Sequence, residues 1–115
     1  GAISDLFKVT SSGTIYAQEL IVQASPFPDY VFDLDYDLMP LGQVKEYINA
    51  NGHLPNIPSA KEVEENGMGV SDMLVKQMEK IEELTLYILE VNDHVSDLER
   101  KNEELERQLI ELQSK

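Results

Sequence analysis

The chain has 115 residues, of which 42% are apolar and 27% are charged, a composition typical of folded proteins rather than of disordered segments. Nine basic and 22 acidic residues give a formal net charge of −13, which disfavours nucleic-acid binding and electrostatic docking on anionic membranes. The sequence has no cysteine and no apolar run long enough to span a bilayer, so we expect no disulfide, no thiolate metal site and no membrane insertion.

The first part of the chain has the pattern of short β-strands. Apolar residues at 6–9 and 14–22 flank a polar turn, and Gly13 in that turn can adopt a positive φ. We expect these two segments to form a β-hairpin. Pro26 and Pro28 then interrupt strand pairing, and the aromatic and β-branched residues at 29–32 predict a further short strand.

Two short helices are predicted next. The spacing of apolar residues favours a helix that has Pro40 at its first position and Gly52 just after its last turn. Ser59 and Glu62 have the spacing of a capping box, which predicts the start of a second helix. Gly67 is expected to end that helix.

From Ser71, the predicted N-cap, to residue 115 the sequence contains no Gly or Pro and keeps one heptad register. With Leu74 at position a, ten of the twelve a and d positions are apolar, a pattern typical of a coiled coil. No second heptad segment exists to serve as a partner, so we expect association between chains. The predicted interface residues are Leu74, Ile81, Leu84, Ile88, Val91, Val95, Leu98, Asn102, Leu105, Leu109 and Leu112, and Gln77 occupies the remaining d position.

The distribution of other apolar residues divides this helix in two. Between residues 73 and 91, six apolar side chains lie outside positions a and d, which predicts that this half packs against a head; they are Met73, Val75, Met78, Leu86, Tyr87 and Leu89. From residue 92 onward the only such residue is Ile110, which predicts a free stalk. We therefore expect an α+β chain with a β-rich segment (1–28), a small head (29–70) and a long helix (71–115).

The heptads leave the number of chains open. β-branched residues at a with Leu at d favour a dimer, and so does Asn102 at a, which we expect to fix the register. A base at g followed by an acid at e resembles a trimer-favouring arrangement. Lys101 with Glu106, and His94 with Glu99, have this spacing.

An acidic run imitates the start of a calcium-binding loop at Asp33, Asp35 and Asp37. The glycine that such a loop needs is replaced by Leu38, and the bidentate glutamate by Val44. We therefore predict a solvated acidic turn and no metal site.

No catalytic constellation is evident. His53 and His94 are far apart in the sequence and are interpreted as structural, and Ser4, Asp5 and Lys8 are interpreted as the polar lead-in to a strand rather than as a self-cleaving site. A cluster of aromatic residues is interpreted as core or subunit interface, with a glycan-binding surface as the alternative; its members are Phe27, Tyr30, Phe32 and Tyr36. We predict no catalytic residue and no cofactor.

Five segments, taken in order, resemble the C-terminal tail-fibre-type domain found at the ends of bacterial surface and phage fibre-like proteins. They are GTIYAQE (13–19), DYVF (29–32), HLPNIPSA (53–60), EVEENG (62–67) and KIEELTLY (80–87). Together they span most of the chain before residue 92, and HLPNIPSA and KIEELTLY are the most specific. More distantly, the order of strands, short helices and a long helix is similar to that of the endosialidase-type intramolecular chaperone domain.

The resemblance implies a homotrimer at the end of a fibre, with an upstream fibre segment of the same chain, on a virion or a bacterial surface. Many members of the wider family cleave themselves with a serine, but Ser4, Asp5 and Lys8 match that motif only loosely, so we predict no peptidase activity. We expect a structural role in trimerisation and chain registration. The alternatives are a self-cleaving chaperone and a receptor- or glycan-binding tip.

Overall fold

A helix of 44 residues, α3 (Val70–Gln113), forms the long axis of the molecule. The structure is a computed structural model and describes residues 6–115. At a rise of about 1.5 Å per residue, α3 is about 66 Å long. It therefore accounts for most of the 89 Å length of the described chain, whose other two dimensions are 36 and 29 Å.

The predicted β-hairpin is confirmed, although its strands are short. β1 (Phe7–Val9) and β2 (Ile15–Ala17) pair in antiparallel fashion, with Val9 opposite Ile15. Gly13 adopts a φ of 86° in the connecting turn. The predicted continuation of the second strand to residue 22 is wrong, because β2 ends at Ala17 and residues 18–22 pair with no strand among residues 6–115.

The predicted strand over residues 29–32 is also wrong. Tyr30–Phe32 is a single turn of 3₁₀-helix, closed by hydrogen bonds from the Phe32 N–H to the Asp29 carbonyl and from the Asp33 N–H to the Tyr30 carbonyl. This turn contacts α3, and no strand of residues 6–115 lies beside it to complete a ladder. A run of four residues is too short for its periodicity to separate the two conformations.

The first short helix, α1 (Leu41–Asn51), is confirmed. Gly52 ends it with a φ of 77° and donates its N–H to the Ile48 carbonyl. Pro40 lies one residue outside the helix rather than at its first position, because its ψ of 143° is extended.

The second short helix, α2 (Ala60–Asn66), has the predicted capping box. The Ser59 hydroxyl accepts a bond from the Glu62 N–H at 3.2 Å, and the Glu62 carboxylate accepts one from the Ser59 N–H at 3.3 Å. Gly67 ends α2, as expected. α3 begins earlier than predicted, because the Gly69 carbonyl, not that of Ser71, accepts the first bond of the helix.

The described chain has almost no hydrophobic core of its own. Val31 is 1% exposed, and Pro28 is the only other buried apolar residue among residues 6–115. The fold is α+β, with a two-stranded antiparallel sheet followed by short helices and a long C-terminal helix. None of the helices in this part of the chain has the length and hydrophobicity needed to cross a membrane.

Candidate functional site

The predicted interface residues form an exposed stripe along α3. The ten apolar side chains at a and d are between 44% (Leu74) and 68% (Leu112) exposed, and Asn102 is exposed as well. Burial of one aliphatic side chain contributes about 1.5–3 kcal/mol, so this stripe offers a strong driving force for association. We call it the seam, and it consists of Leu74, Ile81, Leu84, Ile88, Val91, Val95, Leu98, Asn102, Leu105, Leu109 and Leu112.

The head packs on the face of α3 that lies away from the seam. Of the six apolar residues predicted to contact it, four are partly buried: Val75, Met78, Leu86 and Tyr87. Met73 and Leu89 are 37% and 54% exposed in the single chain, so the chain's own head does not bury these two. Every residue from 88 to 115 is exposed.

Glu79, at the centre of the covered face, anchors the head through two hydrogen bonds. Its carboxylate accepts from the Tyr30 hydroxyl at 2.5 Å and from the Asn56 side-chain amide at 2.9 Å. Lys76 donates to the Asn56 carbonyl at 2.9 Å and so holds the same loop. Glu79 is buried, and each of its oxygens has a partner, which satisfies a group that would otherwise be costly to bury.

A second group of contacts lies one helical turn further along α3. The Glu83 carboxylate accepts from the Tyr36 hydroxyl at 2.5 Å and forms an ion pair with Lys80 at 2.7 Å. The Tyr87 hydroxyl donates to the Met39 carbonyl at 2.5 Å. Three tyrosine hydroxyls thus tie the segment before α1 to the long helix. The sequence hinted at this only through the clustering of tyrosines, which we interpreted as core or interface without naming their partners.

These contacts shift the pKa values of the groups involved. The hydrogen bond to Glu79, together with burial and nearby carboxylates, raises the pKa of Tyr30 to about 12. Burial and the bond to Glu83 raise the pKa of Tyr36, and burial raises that of Tyr87. Burial opposes ionisation of Glu79, but the bonds from Tyr30 and Asn56 and the charges of two lysines outweigh it and lower its pKa.

The raised tyrosine pKa values predict a loss of stability at alkaline pH. Because the pKa of Tyr30 is about 12 in the folded chain and 10.0 ordinarily, its contribution to stability is complete below pH 10 and is lost as the pH rises towards 12. We expect the urea midpoint, measured by circular dichroism at one protein concentration, to fall across this range. Part of that fall should disappear in Tyr30→Phe, which should also cost about 1.5 kcal/mol at neutral pH.

Tyr16→Phe is the matched control for this experiment. Tyr16 lies on the hairpin, is exposed and is opposite Lys8 rather than on α3. Its substitution should leave the alkaline transition as it is in the natural chain. An unchanged alkaline transition in Tyr30→Phe would contradict the assigned role of the Tyr30 hydroxyl.

Glu82 is a second buried carboxylate, and its environment is unfavourable to charge. It is 5% exposed, and its Oε1 has no hydrogen-bond partner among the described residues. Burial raises its pKa, and the charge of Asp29 and a hydrogen bond shared with that residue raise it further. A hydrogen bond from the Val31 N–H lowers the pKa of Glu82, but by less than burial and Asp29 raise it.

Removal of this charge is expected to stabilise the head. A carboxyl whose pKa is raised on folding contributes most below its ordinary pKa of 4.5 and loses that contribution as the pH rises through the folded value. We expect Glu82→Gln to unfold at higher urea than the natural chain at pH 7.5, with the difference shrinking as the pH falls towards 4.5. Glu103→Gln, an exposed position with the same change of charge, controls for net charge. Equal effects of both substitutions would contradict the interpretation of Glu82.

A groove of about 380 Å³ separates α1 from α3. Leu41, Val44 and Ile48 form its α1 wall, and Leu84 and Tyr87 belong to its α3 wall. Leu84 is also a d residue of the seam, so the groove opens onto the same face that we expect to meet another chain.

The other candidate sites lie apart from this face or have no convergent partners. Within residues 6–115, no three Asp, Glu or His side chains converge in a way that would hold a metal ion. His53 packs edge-on against Tyr47, with ring centroids 5.6 Å apart, and His94 is exposed on α3.

Two residues of the loosely matched self-cleavage motif, Ser4 and Asp5, lie outside the described residues. Tyr30 and Tyr36 pack against each other, with ring centroids 6.1 Å apart, and their hydroxyls bind α3.

No family model matches the chain, and neither a curated protein nor a solved structure matches it.

Proposed function

We propose that this chain is a C-terminal trimerisation and chain-registration domain of a fibre or surface protein, with a structural rather than a catalytic role. The observation that carries the proposal is the seam. Ten apolar side chains at coiled-coil spacing are exposed on a helix whose opposite face is already occupied by the head. A second and third copy of the same helix would cover that surface by the ordinary geometry of coiled coils.

The scarcity of internal core supports the same conclusion. Large apolar side chains are exposed throughout the described chain, and Val31 and Pro28 are the only apolar residues of that part that are buried. Monomeric proteins rarely leave a continuous apolar surface of this kind open to water. Assembly with other copies supplies the burial that a single chain lacks.

The β-rich segment is the part whose register would be set. β2 ends at Ala17, and the apolar residues that follow it pair with no strand among residues 6–115; Leu20 is 70% and Ile21 is 84% exposed. Strands that must pair between chains form slowly and expose edges that mispair. A coiled coil forms early because its contacts within each helix are local, and it then holds the strand segments of all chains at high effective concentration.

The choice of a trimer rests on the resemblance to tail-fibre-type domains, since the heptads alone favour neither trimer nor dimer. The same resemblance supports the proposal that the domain stands at the end of a fibre on a virion or a bacterial surface, attached to an upstream fibre segment of the same chain. We therefore propose that each chain binds further copies of itself as a homotrimer, and a homodimer is the alternative.

Light scattering coupled to gel filtration tests the proposal directly. We expect a mass three times the chain mass of 13.0 kDa. A mass of two chains would replace the trimer with a dimer and leave chain registration intact. A monomer at every concentration of a dilution series would overturn the proposal, because the exposed seam would then have no partner.

A further inference from the structure

α1 lies beside only one flank of the seam. The α3 residues that line the groove occupy heptad positions c, d, f and g, as Lys80 at g and Leu84 at d illustrate. A second depression lies beside Leu41, and the α3 residues that line it also occupy only positions c, d, f and g, as Val91 at d and His94 at g illustrate. No residue at a, b or e lines either one, so the wall formed by α1 stands along the g flank alone.

The opposite flank carries an apolar residue that no part of residues 6–115 buries. Leu89, at position b, is 54% exposed, and Thr85, at the neighbouring e position, is exposed as well. Earlier on the same flank, Met78 and Glu82 are covered by the chain's own head. The head therefore protects the e and b flank up to about residue 82 and leaves it open beyond that level.

In a parallel coiled coil, the g flank of each helix meets the e flank of its neighbour. The groove beside α1 opens onto the g flank, and Leu84 belongs both to the groove and to the seam. Given the parallel assembly proposed above, on which this step rests, we infer that α1 of each chain docks onto the neighbouring copy. Leu41, on the apolar face of α1, contacts Leu89 of that copy.

The two docking partners lie at the same height along the coiled coil. Leu41 is 46% exposed and lies beside Glu90 and Val91 of its own α3. When neighbouring helices are in register, Leu89 of the second copy lies within about one helical turn of that level. Leu89 cannot make this contact in its own chain, because position b faces away from positions d and g, beside which α1 lies.

The contact is directional, since the groove of one chain receives the flank of the next. Such head-to-tail contacts close into a ring when the rotation between copies is that of a trimer. An antiparallel pair would instead bring two g flanks together and leave Leu89 uncovered. The docking of α1 thus adds a requirement for parallel, in-register chains that the seam alone does not impose.

Site-specific cross-linking tests the inference, because the natural sequence has no cysteine to interfere. Leu41→Cys combined with Leu89→Cys is treated with a short bismaleimide and resolved on a denaturing gel. The matched control combines Leu41→Cys with Ile110→Cys. Ile110 also occupies position b and is exposed, but it lies about 30 Å further along the helix.

We expect about tenfold more linked two-chain and three-chain species from the Leu41–Leu89 pair than from the control pair, as proximity raises the effective concentration of the two thiols. Equal, low linkage in both pairs, with light scattering still showing a trimer, would overturn the docking of α1 and leave the proposed function standing. A monomer by light scattering would overturn the proposed function and this inference with it.

Discussion

Ile88→Asp is expected to convert the oligomer into monomers. Ile88 occupies an a position in the middle of the seam and is 66% exposed in the single chain. In a trimer the substitution removes three isoleucine side chains from one layer, at about 1.5–3 kcal/mol each. It also brings three carboxylates together in an apolar environment, where an unpaired charge is strongly disfavoured. Light scattering at the concentration at which the natural chain assembles measures the result.

The chain offers a closely matched control for this substitution in Ile110→Asp. Ile110 is also an isoleucine on α3 and is likewise 66% exposed, but it lies at position b, outside the seam. Its substitution introduces the same charge and should leave the trimer assembled. An Ile88→Asp variant that remained trimeric would contradict the assignment of the seam as the assembly surface.

Deletion of residues 92–115 is expected to weaken assembly strongly while leaving the head able to fold. The deletion removes the exposed stalk and half of the apolar seam residues, which are Val95, Leu98, Leu105, Leu109 and Leu112. At about 1.5–3 kcal/mol per buried side chain, the gross loss is of the order of 10 kcal/mol per chain before chain entropy is subtracted. Sedimentation across a concentration series should show monomers where the natural chain is assembled, and oligomers only at high concentration.

The hydrogen bonds by which Tyr30, Tyr36 and Tyr87 join the head to α3 all involve residues before the deletion, so the near-ultraviolet circular dichroism of the tyrosines should survive at high concentration. Removal of residues 113–115 alone, which lie beyond Leu112, controls for loss of the chain end. Loss of all secondary structure in the longer deletion would refute the division into head and stalk.

Features encoded in local spacing were predictable from the sequence. The long helix, the capping box at Ser59 and Glu62 and the glycine at the end of α1 depend on residues within a few positions of each other. Helical periodicity sustained over many turns is hard to mistake, because a strand has a different period. The exposure of the seam agrees with the same heptads, since the sequence has no second heptad segment that could pair with α3.

The errors fall where the outcome depends on distant partners. Residues 29–32 have strand-forming side chains, but with no strand of the described chain beside them they form a 3₁₀ turn that places Tyr30 against Glu79. A strand also needs a partner to extend through residue 22, and no part of residues 6–115 provides one. The partners of the tyrosine hydroxyls are 47 to 49 residues away in sequence, a separation for which local patterns carry no information.

The near absence of buried apolar residues in a single chain has a consequence for how its stability must be expressed. When the native state exists mainly as an assembly, folding and association are one equilibrium, and its midpoint moves with the total amount of protein. In the proposed assembly, dilution would act on this molecule much as a denaturant acts on a monomeric domain. A melting temperature would then have meaning only beside the concentration at which it was measured, and a newly made chain would gain most of its stability only on meeting its neighbours.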